Sequence, residues 1–120
     1  MEKIVIPEYL QHFNLAALTA KIGNKPENIK ILLNTFIVDF YKYLNKIRTA
    51  NLSHNSETIR HNLELISESA NSACLDRIYF YTQAILSNDE MYDEEQMNDF
   101  IDELENEAEI IRDLDKNFTI

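Results

Sequence analysis

Apolar residues in this chain recur at intervals of three and four, the pattern of helices that each bury one side. The longest run starts at Pro26 and carries Ile29, Leu32, Leu33, Phe36, Ile37, Phe40, Leu44 and Ile47 along one broad stripe. A second run starts near Asn55 or Ser56, both good N-caps, and places Ile59, Leu63, Ile66, Ala70 and Ala73 on a single face. A third keeps the spacing through Leu75, Ile78, Thr82 and Ile85 until Ser87, Asn88 and Asp89 break it. The last, from about Asp93, is expected to turn Met97, Phe100, Ile101, Leu104, Ala108, Ile111 and Leu114 inward and its acids outward. Ahead of these runs, residues 7–13 suggest a short leading turn, and residues 50–55 a polar turn. Asn14 caps a helix through Leu15, Leu18 and Ile22, which Gly23 and Asn24 stop. One glycine and two prolines in 120 residues leave little material for the tight turns of a β fold. The economical expectation is all-α: an antiparallel four-helix bundle with short N-terminal helical segments, one domain over residues 1–120.

Charge narrows the partners. Of 21 acids, 13 fall in residues 89–115, where Arg112 is the sole base and Lys116 follows just beyond. This stretch is read as a solvated helix face. A net charge of −10 opposes binding to nucleic-acid phosphate or to an anionic membrane, since both would repel the surface. The single cysteine excludes an internal disulfide and a cysteine-based zinc site. No apolar run approaches the ~20 residues that span a bilayer. The opening Ile4, Val5 and Ile6 end at Pro7, too short for a secretion signal, so a cytoplasmic location is expected.

Catalytic and metal chemistry find little footing. His61 and Glu64 stand at His-x-x-Glu spacing, the reverse of the Glu-x-x-His pairs that hold metals inside bundles. At about 100° per residue, Glu64 lies roughly 135° from the centre of its helix's apolar stripe, and His61 points further out. His12, His54 and His61 are scattered and expected at the surface, and Cys74 follows the stripe at a helix–helix corner, as a packing thiol does. Small residues at Ala70, Ala73 and Cys74 leave room for another helix to come close. No metal, cofactor, small-molecule substrate or conventional enzymatic activity is expected. What remains is the outward face carrying Glu57, Arg60, His61, Glu64, Leu65, Glu68 and Asn71. Leu65 is expected to be exposed between Glu64 and Glu68, either as a lone surface leucine that needs no explanation or as part of a protein-docking patch.

The register of these motifs resembles the histidine-containing phosphotransfer (HPt) family of multistep two-component signalling, across roughly residues 13–87. Phe13-Asn14-Leu15-Ala16-Ala17-Leu18 with Gly23 is similar to the family's opening F-D-x-x-x-L…G segment. Leu32-Leu33-Asn34-Thr35-Phe36-Ile37-Val38-Asp39 is similar to its L-L-x-x-F-x-x-D run, and Leu44, Ile47 and Ala50 to its L-x-x-L-x-x-A. His54-Asn55 then stands at the usual Gly-Asp turn, and Ile59 at the aliphatic residue that follows. Ser69-Ala70 and Asp76-Arg77-Ile78 fit the small-residue segment and the start of the next helix.

Carried over without a gap, the family's phosphoacceptor motif His-x-x-Lys-Gly falls on Glu64, Ser67 and Glu68, and its later turn glycine on Cys74. Phosphorelay needs an imidazole nitrogen that attacks an aspartyl phosphate. A carboxylate repels the incoming phosphoryl group, and neither Ser67 nor Glu68 replaces the lysine's charge or the glycine's close approach. The resemblance therefore implies a pseudo-HPt module that binds a response-regulator receiver domain or a sensor kinase without carrying phosphate. Its expected binding residues are His61, Glu64, Leu65 and Glu68, with no catalytic residue. Two alternatives stand beside it: an active phosphotransfer protein using His61, one helical turn before Glu64, and a helical adaptor outside signalling.

Overall fold

The structure, a computed structural model, describes residues 4–88 and 92–117. Residues 1–3 of the opening segment, Asp89 of the expected helix break, and Asp89 and Glu90 of the acidic stretch lie outside the described residues. The chain forms five helices, α1 (Leu15–Ile22), α2 (Pro26–Leu52), α3 (Ser56–Ser72), α4 (Asp76–Leu86) and α5 (Glu94–Asn117), with no strand among the described residues.

Local chemistry sets most boundaries. The Asn14 side chain accepts a hydrogen bond from the Ala17 amide at 3.1 Å and starts α1. Gly23, at φ 86°, ends it. Pro26 sits in the first turn of α2, where its missing N–H costs nothing. At 1.5 Å per residue, the 27 residues of α2 span about 40 Å, close to the molecule's 43 Å long axis. Asn55 caps α3 by accepting from the Thr58 amide at 3.1 Å.

The turns after α2 and α3 are built alike. The Asn55 amide reaches back to the Ala50 carbonyl at 2.9 Å, and the Leu75 amide to that of Ala70 at 2.9 Å. In each, the residue before takes a left-handed backbone: His54 at φ 56° and Cys74 at φ 58°. This is the Schellman closure that glycine favours, and a side chain there costs roughly 1–2 kcal/mol. His54 is exposed, so His54→Gly is expected to stabilise the chain by about 0.5–1 kcal/mol after the greater freedom of unfolded glycine is set against the relief. A higher urea midpoint checks this. Cys74→Gly gains less, because the Cys74 side chain is buried.

Helix α2 packs on α3 and α5, α3 packs on α4, and α4 on α5, closing a ring around one core. Phe40, Leu44 and Ile47 of α2 meet there with Leu63 and Ile66 of α3, Ile78 and Ile85 of α4, and Ile101, Leu104 and Ile111 of α5. Helix α1 adds buried Leu18, with half-buried Ala17 packed against the same core.

The structure corrects several sequence expectations. Leu15 and Ile22, expected on the inner stripe of α1, are 41% and 42% exposed, because a two-turn helix buries only its central contact. Leu114 is 42% exposed, three residues before α5 ends. Residues 50–52 continue α2 rather than turning, since Ala50 and Asn51 are buried. Asn51 Nδ2 donates to the Glu94 backbone carbonyl at 3.1 Å and to Asn98 Oδ1 at 3.0 Å, joining the end of α2 to the start of α5. The short leading turn expected within residues 7–13 is present, closed by the Leu10 amide on the Pro7 carbonyl at 3.1 Å. The approach at Ala73 and Cys74 is made by the segment entering α1: the Asn14 amide donates to the Cys74 carbonyl at 2.8 Å. Asn14 Nδ2 also donates to Asp76 Oδ2 at 3.1 Å.

Candidate functional site

The outward face of α3 follows from its burial. Ile59, Leu63, Ile66 and Ala70 point into the core, with polar Asn62 and Ser67 also buried between α3's neighbours. Glu57, His61, Glu64, Glu68 and Asn71 are left exposed. His61, Glu64 and Glu68 share one face, at i, i+3 and i+7. Leu65 departs from expectation: it is half-buried, with one side turned into the packing.

Arg60, grouped with this face by the sequence pattern, leaves it. Its guanidinium reaches over the end of α4, donating to the Leu86 carbonyl at 2.8 Å and the Asn88 carbonyl at 3.1 Å. Those carbonyls lie at a helix C-terminus, where a cation is favoured. The cation of α3 thus holds α4 in place, and Glu57, Glu64 and Glu68 keep their face acidic.

Ser67, where the resemblance places the phosphotransfer lysine, is 1% exposed, and its hydroxyl accepts from Gln83 Nε2 at 2.8 Å. Beside it, Glu64, Glu68, Asn71, Tyr79 and Gln83 outline a shallow cavity of about 210 Å³ between α3 and α4. A second, of about 300 Å³, lies on the other flank, lined by Thr35 and Asp39 of α2 and by Ser69 and Ser72 of α3. Glu68 borders both and stands on the ridge between them. The His61 imidazole makes no hydrogen bond among the described residues, so no base or orienting group is arranged around it. The face presents an acidic ridge with a partly buried leucine and a tyrosine at its edge.

Sequence reasoning missed a second polar cluster. Glu107 was expected outward with the other acids but is 5% exposed. It accepts from His12 Nδ1 at 2.8 Å and from Arg77 Nε at 3.0 Å. The signal was present, since Glu107 falls on the stripe made by Leu104, Ala108 and Ile111. His12 accordingly joins the N-terminal segment to α5 and is not simply a surface residue. No group of three His, Cys, Asp or Glu side chains among the described residues is placed to hold a metal ion.

Tyr81 is 5% exposed, and burial first, then the carboxylates of Glu103 and Asp99, push its phenol well above the ordinary 10.0. Unfolded, the phenol ionises near 10.0; folded, it resists. Its contribution is therefore whole below pH 10.0 and is lost as pH climbs towards the raised folded value. Urea midpoints are expected to fall between about pH 9 and about pH 11, and to fall less in Tyr81→Phe. Equal falls in both chains would contradict the assignment.

No protein-family model, curated protein or solved structure matches the chain.

Proposed function

We propose that the chain is a pseudo-HPt module: an antiparallel four-helix bundle of HPt type, formed by α2–α5, that binds a receiver domain or sensor kinase without carrying phosphate. The observation that carries this reading is the coincidence of backbone and chemistry along the HPt register. At His54 and Cys74, where the resemblance expects glycine, the backbone is left-handed. Between them the acceptor face is exposed but carries Glu64 for the histidine, and Ser67 is buried under Gln83. The scaffold's special positions are kept while its phosphoryl chemistry is gone.

Binding then rests on the ridge of His61, Glu64 and Glu68, with Leu65 beneath it. Glu64 offers a fixed negative charge at the acceptor position, though with less charge and fewer oxygens than a phosphoryl group. The protein acts by occupying a receiver, in a cytoplasmic signalling setting, with no cofactor and no catalytic turnover.

The test is phosphotransfer from receivers charged with labelled acetyl phosphate, run on wild type and His61→Ala, followed by binding assays with the same receivers. The expected result is no acid-labile label on either chain, and binding that weakens in a Glu64→Ala/Glu68→Ala double variant. Label on wild type that vanishes in His61→Ala would replace the reading with an active relay using His61. Neither label nor binding to any receiver or kinase of the same cell would leave an adaptor outside signalling.

A further inference from the structure

Helix α2 carries a second stripe on the side turned away from the core. Ile31, Val38, Asn45 and Leu52 follow one another at seven-residue intervals. All four are exposed, the three aliphatics at 65%, 62% and 72%. Thr35, Lys42 and Thr49, exposed as well, stand between them and complete the four-and-three alternation of a coiled-coil seam. At 1.5 Å per residue the line runs about 30 Å, most of the length of α2. A single exposed aliphatic needs no explanation, but three on one line of one helix form a patch.

Period and charge define the occupant. A seven-residue spacing is what a second helix meets when it lies lengthwise on the first, each side chain entering a gap between four others. The polar Asn45 within the line sets the register of such a pair. The cations of α2 divide into two sets. Lys30 and Arg48 turn to α5, where Lys30 has Asp115 at 4.0 Å and Arg48 has Glu105 at 3.1 Å. Lys42 and Lys46, exposed and one turn apart, make no ion pair among the described residues. From Asn28 to Leu52 the sequence holds one acid, Asp39, and that residue lines the cavity on the α3 flank. A helix bearing carboxylates thus meets an apolar line with two unanswered cations.

A second copy of the chain fits less well. Pairing α2 with its own copy sets Lys42 beside Lys42, whether the helices run parallel or, with Ile31 over Leu52, antiparallel. The net charge of −10 adds to that repulsion. The acidic α5 of another copy offers exposed Ile110 and Leu114, one turn apart, and no seven-residue apolar line among the described residues.

We propose that the outward face of α2 binds an acidic amphipathic helix of a partner protein. Its aliphatic side chains lie over Ile31, Val38 and Leu52, a polar side chain meets Asn45, and its carboxylates stand over Lys42 and Lys46. The site uses neither Glu64 nor Glu68, so this proposal and the receiver reading stand or fall separately.

The experiment is a backbone amide NMR titration of the full chain with two designed peptides. Both carry a leucine seam at four-and-three spacing with one asparagine; the flanking positions are all glutamate in one and all lysine in the other. Each peptide repels itself, so both are offered as single chains. The glutamate peptide is expected to give saturable shifts from Ile31 to Leu52, and the lysine peptide to bind roughly tenfold more weakly or worse. Ile31→Gln/Val38→Gln, at exposed positions that spare the core, is expected to weaken the glutamate peptide by roughly tenfold or more. Lys42→Glu/Lys46→Glu is expected to reverse the preference, a result that loss of folding cannot imitate. Glu64→Ala/Glu68→Ala is expected to bind the glutamate peptide as wild type does. No saturable shift at millimolar glutamate peptide overturns the proposal, as do equal affinities for the two peptides or shifts confined to α3. A dimer of the chain alone in sedimentation equilibrium, abolished by Ile31→Gln/Val38→Gln, would make the occupant a second copy and overturn it too.

Discussion

Glu107→Ala is expected to cost about 3 kcal/mol of folding stability and to lower Tm by roughly 10 °C. Glu107 is buried, and it holds Arg77 Nε at 3.0 Å and His12 Nδ1 at 2.8 Å. The Arg77 side chain is itself only 20% exposed. Removing the carboxylate leaves that guanidinium largely out of water with no counter-ion, and this penalty, not the loss of the pair's own attraction, makes the effect large. The Arg77 Nη1 also lies 3.5 Å from the carbonyls of Pro7 and Leu10, so the loss spreads to the segment leading into α1. Hydrogen exchange should rise across residues 7–14 in the variant. Two controls separate charge from packing. A Glu107→Leu/Arg77→Met chain, which buries neither charge, is expected to recover most of the loss. His12→Ala is expected to cost about 1 kcal/mol at most, because the His12 side chain is 42% exposed and solvent screens it. Urea unfolding of the four chains decides the matter: a Glu107→Ala cost below about 1 kcal/mol would mean that water reaches Arg77 freely.

That cluster shows where the sequence stops being informative. Helix starts were legible because capping is local: Asn14 and Asn55 each cap through a side chain three residues from the amide it serves. Inward stripes were legible wherever a helix is long enough to be packed along its length, as α2 is from Ile29 to Ala50. They failed at Leu15, Ile22 and Leu114, where a helix end outruns its neighbours. The partners of Glu107 lie 95 and 30 residues away, and no spacing rule connects His12 to α5. Arg60 is similar. Its helix-wheel position puts it with Glu57 and Glu64, but its reach is set by where α4 ends, which tertiary packing decides. The α3 ridge fared better: His61, Glu64 and Glu68 needed only the wheel, whereas the half-burial of Leu65 needed the neighbouring helices. A cavity lined by Ile4 and Ile6 of the N-terminal segment, Arg77 and Tyr81 of α4 and Asp99 and Glu103 of α5 was out of reach, being assembled from three segments that meet only in the fold.

Phe40→Ala is expected to be the most damaging of the single substitutions considered, at about 4 kcal/mol. Phe40 is 1% exposed near the middle of α2, the helix that touches both α3 and α5. Its ring packs on Phe36 at 5.7 Å and meets Tyr41 edge-on at 5.4 Å. Alanine loses the ring's transfer free energy and leaves a void that two flanking helices cannot both close. The effect also travels, because Tyr41 carries the Arg112 guanidinium 4.5 Å above its ring. With Phe40 gone, Tyr41 loses its edge-on support and the C-terminal half of α5 loses part of its hold on α2. Further ties there include Lys30 Nζ donating to the Asp115 carbonyl at 2.9 Å and the buried Ile111 side chain, and hydrogen exchange is expected to rise towards the end of α5 before it rises in α3. Val38→Ala, two residues away but 62% exposed, is expected to change stability by less than about 0.5 kcal/mol. A Phe40→Ala cost under about 1.5 kcal/mol would mean the helices close over the void, contrary to a core gathered on α2. The same variant also separates fold from function. On the proposed reading, Phe40→Ala below its lowered Tm should keep the receiver binding of wild type, because the α3 ridge keeps Glu64 and Glu68, whereas the Glu64→Ala/Glu68→Ala chain should keep its stability and bind the receiver more weakly.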